Sequence, residues 1–246
     1  MRINIPANLT QQAYGLIRDE ILSGKLNREQ RLTEEYFAQQ FQISKSPIRE
    51  ALNRLEADGL VRIVPRKGAF VRDFSVQDIE EIYELREILE AAVIRGSEID
   101  PKTAKQLTAV LEKAKECIRM NNKPGYVSAD AAFHTILAQA NKNSRLRAIL
   151  ESMHNQLLIL RHRTFELSGR TSIVQHGLIL KALIKGDRER ATELMIEHIR
   201  TVREGLAKSL SRTNHENAVV SQNRAPSGGR GRSTKENTAA PSLVPK

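Results

Sequence analysis

The sequence predicts a mainly α-helical protein, an N-terminal winged helix-turn-helix followed by an all-helical bundle. Three observations lead there. Three short helical patterns with cap or stop signals precede a single pair of β-prone runs. From Ser75 onward, apolar residues recur at helical spacing with no strand pattern between them. Leu, Ile and Ala dominate a composition with 40% apolar residues, 4% aromatics and no Trp, which suits helix packing.

Residues 9–24 (LTQQAYGLIRDEILSG) read as the first helix, with Thr10 as its cap and Gly24 as a left-handed stop. A second helix spans about 33–41 behind Thr33. A third spans about 45–58 behind Ser44 and stops at Gly59. LVRIVPRKGAFVRDF then reads as a hairpin turning at Arg66-Lys67-Gly68. Ser75 with Asp78 forms a capping-box signature for a helix to about Ser97. Asp100-Pro101 opens the next, with Asp as N-cap and Pro at the first helical position, and it ends near Asn121. Further helices are expected at about 126–141, 144–167, 171–185 and 188–210, with breaks at Gly169 and Gly186-Asp187. The expected organisation is a DNA-binding domain over 1–73, a helical domain of about six helices over 74–210, and a disordered basic tail over 211–246.

The formal charge of +10 divides as +3 over 1–73, +2 over 74–204 and +5 over 205–246. Half of it therefore lies at the C-terminal end, and net charge alone says little about the first domain. The tail is read as a solvated end, with sequence-independent attraction to phosphate as the alternative. A single cysteine, Cys117, excludes an intrachain disulfide. No run of 18 apolar residues marks a membrane span, and the N-terminus lacks the apolar core of a secretory signal. A cytoplasmic protein with no membrane partner is expected.

The third helix carries the first functional reading. Ile48, Ala51, Leu52 and Leu55 share one face; Lys45, Ser46, Arg49 and Asn53 share the other. Two cations and two small polar groups can address phosphates and base edges in a major groove. Pro47 is tolerated in the first turn, where its missing N–H has no intrahelical partner. A solvated surface helix would show the same pattern; the preceding helix and the following hairpin with Arg66, Lys67 and Gly68 tilt the reading toward DNA.

The second functional reading is a metal site. Asp130 and His134 are four apart on one helical face, and His176 and His198 lie in separate helical patterns. Three imidazoles and a carboxylate suit a divalent metal such as zinc or nickel. Any one of these histidines alone would more often be a buried core residue than a ligand. His154 and His162 are read as surface residues, with a cavity-facing position as the alternative.

At this point two stretches become recognisable. LTEEYFAQQFQISKSPIREALNRLEADGLVRIVPRKGAFV resembles the winged helix-turn-helix of GntR-family transcriptional regulators, with a match over 9–72. The resemblance implies that Lys45, Ser46 and Arg49 contact an operator and that Gly68 at the wing tip approaches the minor groove. Two departures stand out. Glu35 takes the place of a usual Arg and would repel phosphate. Gln42 and Lys45 replace the common Gly and Arg, and Lys45 lacks bidentate geometry toward guanine. DAAFHTILAQANKNSRL and QHGLILKALIKGDRERATELMIEHI resemble the FCD effector domain of the FadR subfamily, over about 75–205. That resemblance implies Asp130, His134, His176 and His198 as metal ligands. Arg86 and Asn143 are then effector-binding candidates. Arg86 could equally pair with Glu90 one turn on, and Asn143 could simply form a turn. Gln175 stands where a usual Glu supports the third ligand.

The expectation is a homodimeric DNA-binding regulator, read as a repressor, that binds an inverted-repeat operator in double-stranded DNA. A small organic acid bound at the metal in the effector-binding bundle would control it. A metal-dependent enzyme acting on a small carboxylic acid is the alternative from the same ligand set; the N-terminal module and the lack of an evident general base argue against it.

Overall fold

The computed structural model describes residues 9–26 and 30–223, with side chains as far as Ser211. The first part is built from α1 (Leu9–Leu22), β1 (Arg31–Leu32), α2 (Glu34–Phe41), α3 (Lys45–Ala57), β2 (Val61–Val64) and β3 (Gly68–Val71). Thr33 caps α2 by accepting from the Tyr36 N–H, and Gln42 closes it in the left-handed conformation. Ile48, Ala51, Leu52 and Leu55 of α3 are buried against Tyr14 and Ile17 of α1 and Phe37 of α2, as their helical spacing required. The antiparallel sheet has order β1-β3-β2, and Val64 pairs with Gly68 at the hairpin end.

The second part consists of α4 (Val76–Gly96), α5 (Pro101–Arg119), α6 (Lys123–Gln139), α7 (Ser144–Ile184) and α8 (Arg188–Asn223). The Ser75–Asp78 capping box opens α4, and Asp100 with Pro101 opens α5. One large apolar core joins these helices around Tyr83, Phe133, Leu160, Ile179 and Met195. Among the described residues, no helix is long and apolar enough to cross a membrane.

Five details differ from expectation. Thr10 does not cap α1; it lies inside the helix and donates to Glu50. Ser44 precedes α3 with extended backbone but makes no side-chain cap bond. β1 was not expected, because two residues are too few to show a period. Gly169 does not break the chain: α7 runs unbroken for 41 residues, so among the described residues five helices replace the expected six. A Cβ at Gly169 would sit 3.0 Å from Ile118 Cδ1 and 3.5 Å from Tyr126 Cζ. The missing side chain there lets α5 and α6 approach, and it needs no left-handed turn. At the far end, the backbone of α8 stays helical to Asn223, beyond the expected start of a disordered tail at 211. Residues 211–223 contain no Gly or Pro to stop it. The rest of that tail, 224–246, lies outside the described residues.

Candidate metal centre and DNA-reading face

Three helices converge on one buried point. His134 comes from α6, His176 from α7 and His198 from α8, and one ligand nitrogen of each lies within 4.8 Å of the others. All three are buried, His198 to 1% exposure. Their tautomers follow from their neighbours. A guanidinium only donates, so His134 Nε2, 2.9 Å from Arg86 Nη2, carries the lone pair. His134 Nδ1–H then donates to Glu90 Oε2 at 2.5 Å. His198 Nδ1–H donates to the Gln175 carbonyl at 3.0 Å, which leaves its Nε2 lone pair facing His176 Nε2 at 3.1 Å. Gln175 therefore does orient an imidazole, but that of α8 and not its chain neighbour. Phe133 stacks on His176 with ring centroids 4.2 Å apart.

Burial keeps these imidazoles neutral. It pushes His176 down to about 3, with Asp130 opposing, and pushes His198 well below the ordinary value, with His176 adding to the effect. His134 is lowered in the same way against the pull of Glu90. Two imidazole nitrogens each about 2.1 Å from one cation stand about 3 Å apart, so the His176–His198 separation and the neutral, oriented rings fit a divalent metal.

Asp130 lies beside the three-histidine cluster. Its Oδ2 accepts from Arg161 Nε at 2.7 Å, and its Oδ1 is 3.9 Å from His176 Nδ1 and 3.4 Å from the Tyr126 hydroxyl. Arg86 pairs with Glu90 at 2.6 Å, and this pair is buried, not on the helix surface. Burial would raise the Glu90 carboxyl, but Arg86 and His134 together hold it well below the carboxylate range. The fully buried Tyr83 hydroxyl makes no hydrogen bond among the described residues. Asn143 caps α7, accepting from the Arg145 and Leu146 N–H groups, on the exposed surface. The buried asparagine is Asn141, which holds the Val93 carbonyl at 3.0 Å.

Beside the histidines lies a cavity of about 320 Å³ walled by Glu90, His134, Arg147, His154, Asn155 and Arg161 among others. His154 thus faces the cavity. Glu90, Arg147, Asn155 and Arg161 had drawn no attention as pocket residues. The signal available was a stripe at 147, 150, 154, 157 and 161, which shares one face of α7.

In the first part of the chain, Lys45, Ser46, Arg49 and Asn53 are all exposed on α3, and Arg66 and Lys67 are exposed at the hairpin tip. Gly68 has φ +105, and the Arg31 guanidinium lies 3.2 Å from where its Cβ would be. β1 therefore brings a further cation to the wing. The helix cations are engaged: Arg49 forms a bidentate pair with Glu34 at 2.7 Å, and Lys45 is in contact with Glu35.

The comparisons with known proteins agree with this division. Residues 9–71 match the model of bacterial regulatory proteins of the gntR family, and residues 81–201 match that of the FCD domain. An HTH-type transcriptional regulator from the TAR-I ttuE-ttuC' intergenic region of Agrobacterium vitis is 38% identical over 136 residues, covering 53% of this chain and 80% of the relative. The gluconate operon transcriptional repressor of Bacillus licheniformis is 29% identical over 70% of this chain and 74% of its own. Among solved structures, a GntR transcriptional regulator from Rhodococcus sp. RHA1 superposes with a TM-score of 0.71 at 27% identity, over 80% of this chain and 96% of that one.

Proposed function

The chain belongs to the GntR family of bacterial transcriptional regulators, with an FCD domain behind its DNA-binding head, and we propose that a small organic acid held at a divalent metal in that second domain controls its grip on DNA. Its relatives are regulators, some of them repressors, and not enzymes. The proposal rests above all on one observation: three buried, neutral imidazoles each bring a ligand nitrogen within 4.8 Å of the others beside a cavity.

His134, His176 and His198 would hold the metal, zinc or nickel by donor type, with Asp130 as fourth ligand through Oδ1, the oxygen not taken by Arg161. A divalent cation there would supply a Lewis-acidic anchor for a carboxylate. The buried charges of Arg86, Glu90, Arg161 and Asp130 cancel pairwise, so an anion is the ligand that balances a cation among them. Arg147, in the wall of the same cavity, has no carboxylate partner among the described residues and suits an acid's second polar group. A sugar acid is the first class to try, given the relative named for the gluconate operon.

The chain acts as a cytoplasmic homodimeric repressor in this reading. Each protomer presents α3 to a half-site of an inverted repeat, with Lys45, Ser46, Arg49 and Asn53 in the major groove and Arg66, Lys67 and Gly68 at the wing. Selection of genomic fragments on the purified protein, followed by sequencing, should enrich one inverted-repeat site; no enrichment above a basic control protein would sink the regulator reading. Elemental analysis of protein purified without chelator should find about one divalent metal per chain. The double variant His134→Ala/His176→Ala should lose that metal while its unliganded DNA binding persists.

A further inference from the structure

Asn155 stands at the border of two stripes on α7. One stripe (147, 150, 154, 157 and 161) walls the acid cavity. The other meets the DNA-binding head: Gln156 lies against Gly59, Ile159 packs on both apolar cores, and Arg163 binds Asp73 at 2.7 Å. Asn155 belongs to both. It is part of the cavity wall, and its Nδ2 donates at 3.1 Å to the Tyr14 hydroxyl and at 3.1 Å to Asp58 Oδ2. The Tyr14 hydroxyl in turn donates to the same Asp58 carboxylate, which closes a triangle. Asp58 is the C-cap of α3, the helix that carries the DNA-reading side chains, and Tyr14 sits on α1 with the Arg54 guanidinium 4.9 Å over its ring.

We propose that Asn155 is the relay between the acid cavity and the DNA-binding head: an acid in the cavity draws its side-chain amide away from Asp58 and Tyr14, and the end of α3 is released. This rests on the acid reading given above. Three arguments carry it. The two acceptors are bonded to each other, so a single Asn155 N–H bridges them both, and a new acceptor in the cavity that turns the amide breaks both bonds at once. The incoming carboxylate also repels Asp58, with which it would share the donor. Finally, α7 is one unbroken helix from the head contacts to His176, 21 residues from Asn155 or about 31 Å, so a shift at the histidine end reaches the head as a rigid displacement.

Hydrogen exchange of the full chain with zinc, with and without sodium gluconate or citrate as probe, tests this. In the wild type the acid should speed exchange in peptides covering 10–22 and 50–60 by about fivefold, as loss of an ordinary hydrogen bond gives. Asn155→Ala should show that faster exchange without acid and no further change with it. Tyr14→Phe, which leaves the ring packing in place, should raise the basal rate less and keep the acid response. If Asn155→Ala without acid exchanges like the wild type, or if the acid still speeds its exchange as much as in the wild type, the relay is wrong while the acid reading stands. Calorimetry on the same samples separates the two ideas: no heat with either acid would overturn the acid reading, and the relay with it.

Discussion

The DNA-binding head and the effector domain use the same chemistry, arginine or lysine against carboxylate, in opposite surroundings. On the head, Arg49 with Glu34 and Lys45 with Glu35 form exposed pairs. In the effector domain, Arg86 with Glu90 and Arg161 with Asp130 are buried, with side chains at most 8% exposed. Water and salt screen the first kind, so its partners exchange at little cost. The second kind has no water to fall back on, so removing one partner strands a charge. The head thus holds its cations in pairs that a competing anion such as phosphate can open. The effector domain fixes its cations permanently, and they in turn hold His134 and Asp130 in place.

The largest effect should come from stranding a buried charge. Glu90→Ala leaves Arg86 unpaired and removes the acceptor that orients His134. We expect a loss of about 3–5 kcal/mol in urea unfolding of the metal-free protein. Glu34→Ala should leave the unfolding midpoint almost unchanged. Equal effects from the two variants would break the contrast between the regions.

How much of this could be read in the sequence also divides by surroundings. Local signals were legible because they act over three or four residues: the Thr33 cap, the Ser75–Asp78 box, and Asp100 before Pro101. The three histidines were legible because imidazoles at matching positions of a recognisable domain have few other readings. Gly169 misled because glycine has two uses, freedom of the backbone and absence of a side chain, and only the neighbours Ile118 and Tyr126 decide which applies. The buried partners were hidden for a related reason. Glu90 appeared only as a helix-turn partner of Arg86, and Arg161 looked like any cation on a long helix, because which face of α7 is covered depends on α6 and on the head. Asn143, read as an effector candidate or a turn former, caps α7, while Asn141, two residues away, is the buried one, and nothing local in the sequence separates the two.

A second prediction concerns the exposed pairs in their functional setting. Arg49 carries a planar fork that its bidentate bond to Glu34 now fills, and a phosphate or a guanine edge fits the same geometry. Arg49→Ala should lower affinity for the selected operator by about ten- to a hundredfold at fixed salt. Its unfolding curve should match the wild type. A variant that instead loses stability and keeps its operator affinity would mean that the pair is structural, and the head would then resemble the effector domain.

The smallest effect is the sharpest test of whether such a pair opens. Lys45 holds the Glu35 carboxyl below its ordinary range, and both side chains are exposed, so the pair is screened but real. To meet phosphate, Lys45 must leave Glu35, and the acid then remains near the DNA as a repelling charge. Glu35→Gln keeps the size and removes both costs. Operator affinity should rise a few-fold at low salt, and the gain should fade as salt screens it. The slope of log affinity against log salt should steepen by up to about one unit, the share of one cation freed to displace a counterion. The same shift should appear on unrelated DNA, because Lys45 lacks the fork that would read a base. If affinity and slope stay as in the wild type, Lys45 does not reach the backbone at all, and Arg49 with the wing residues carries the contact alone.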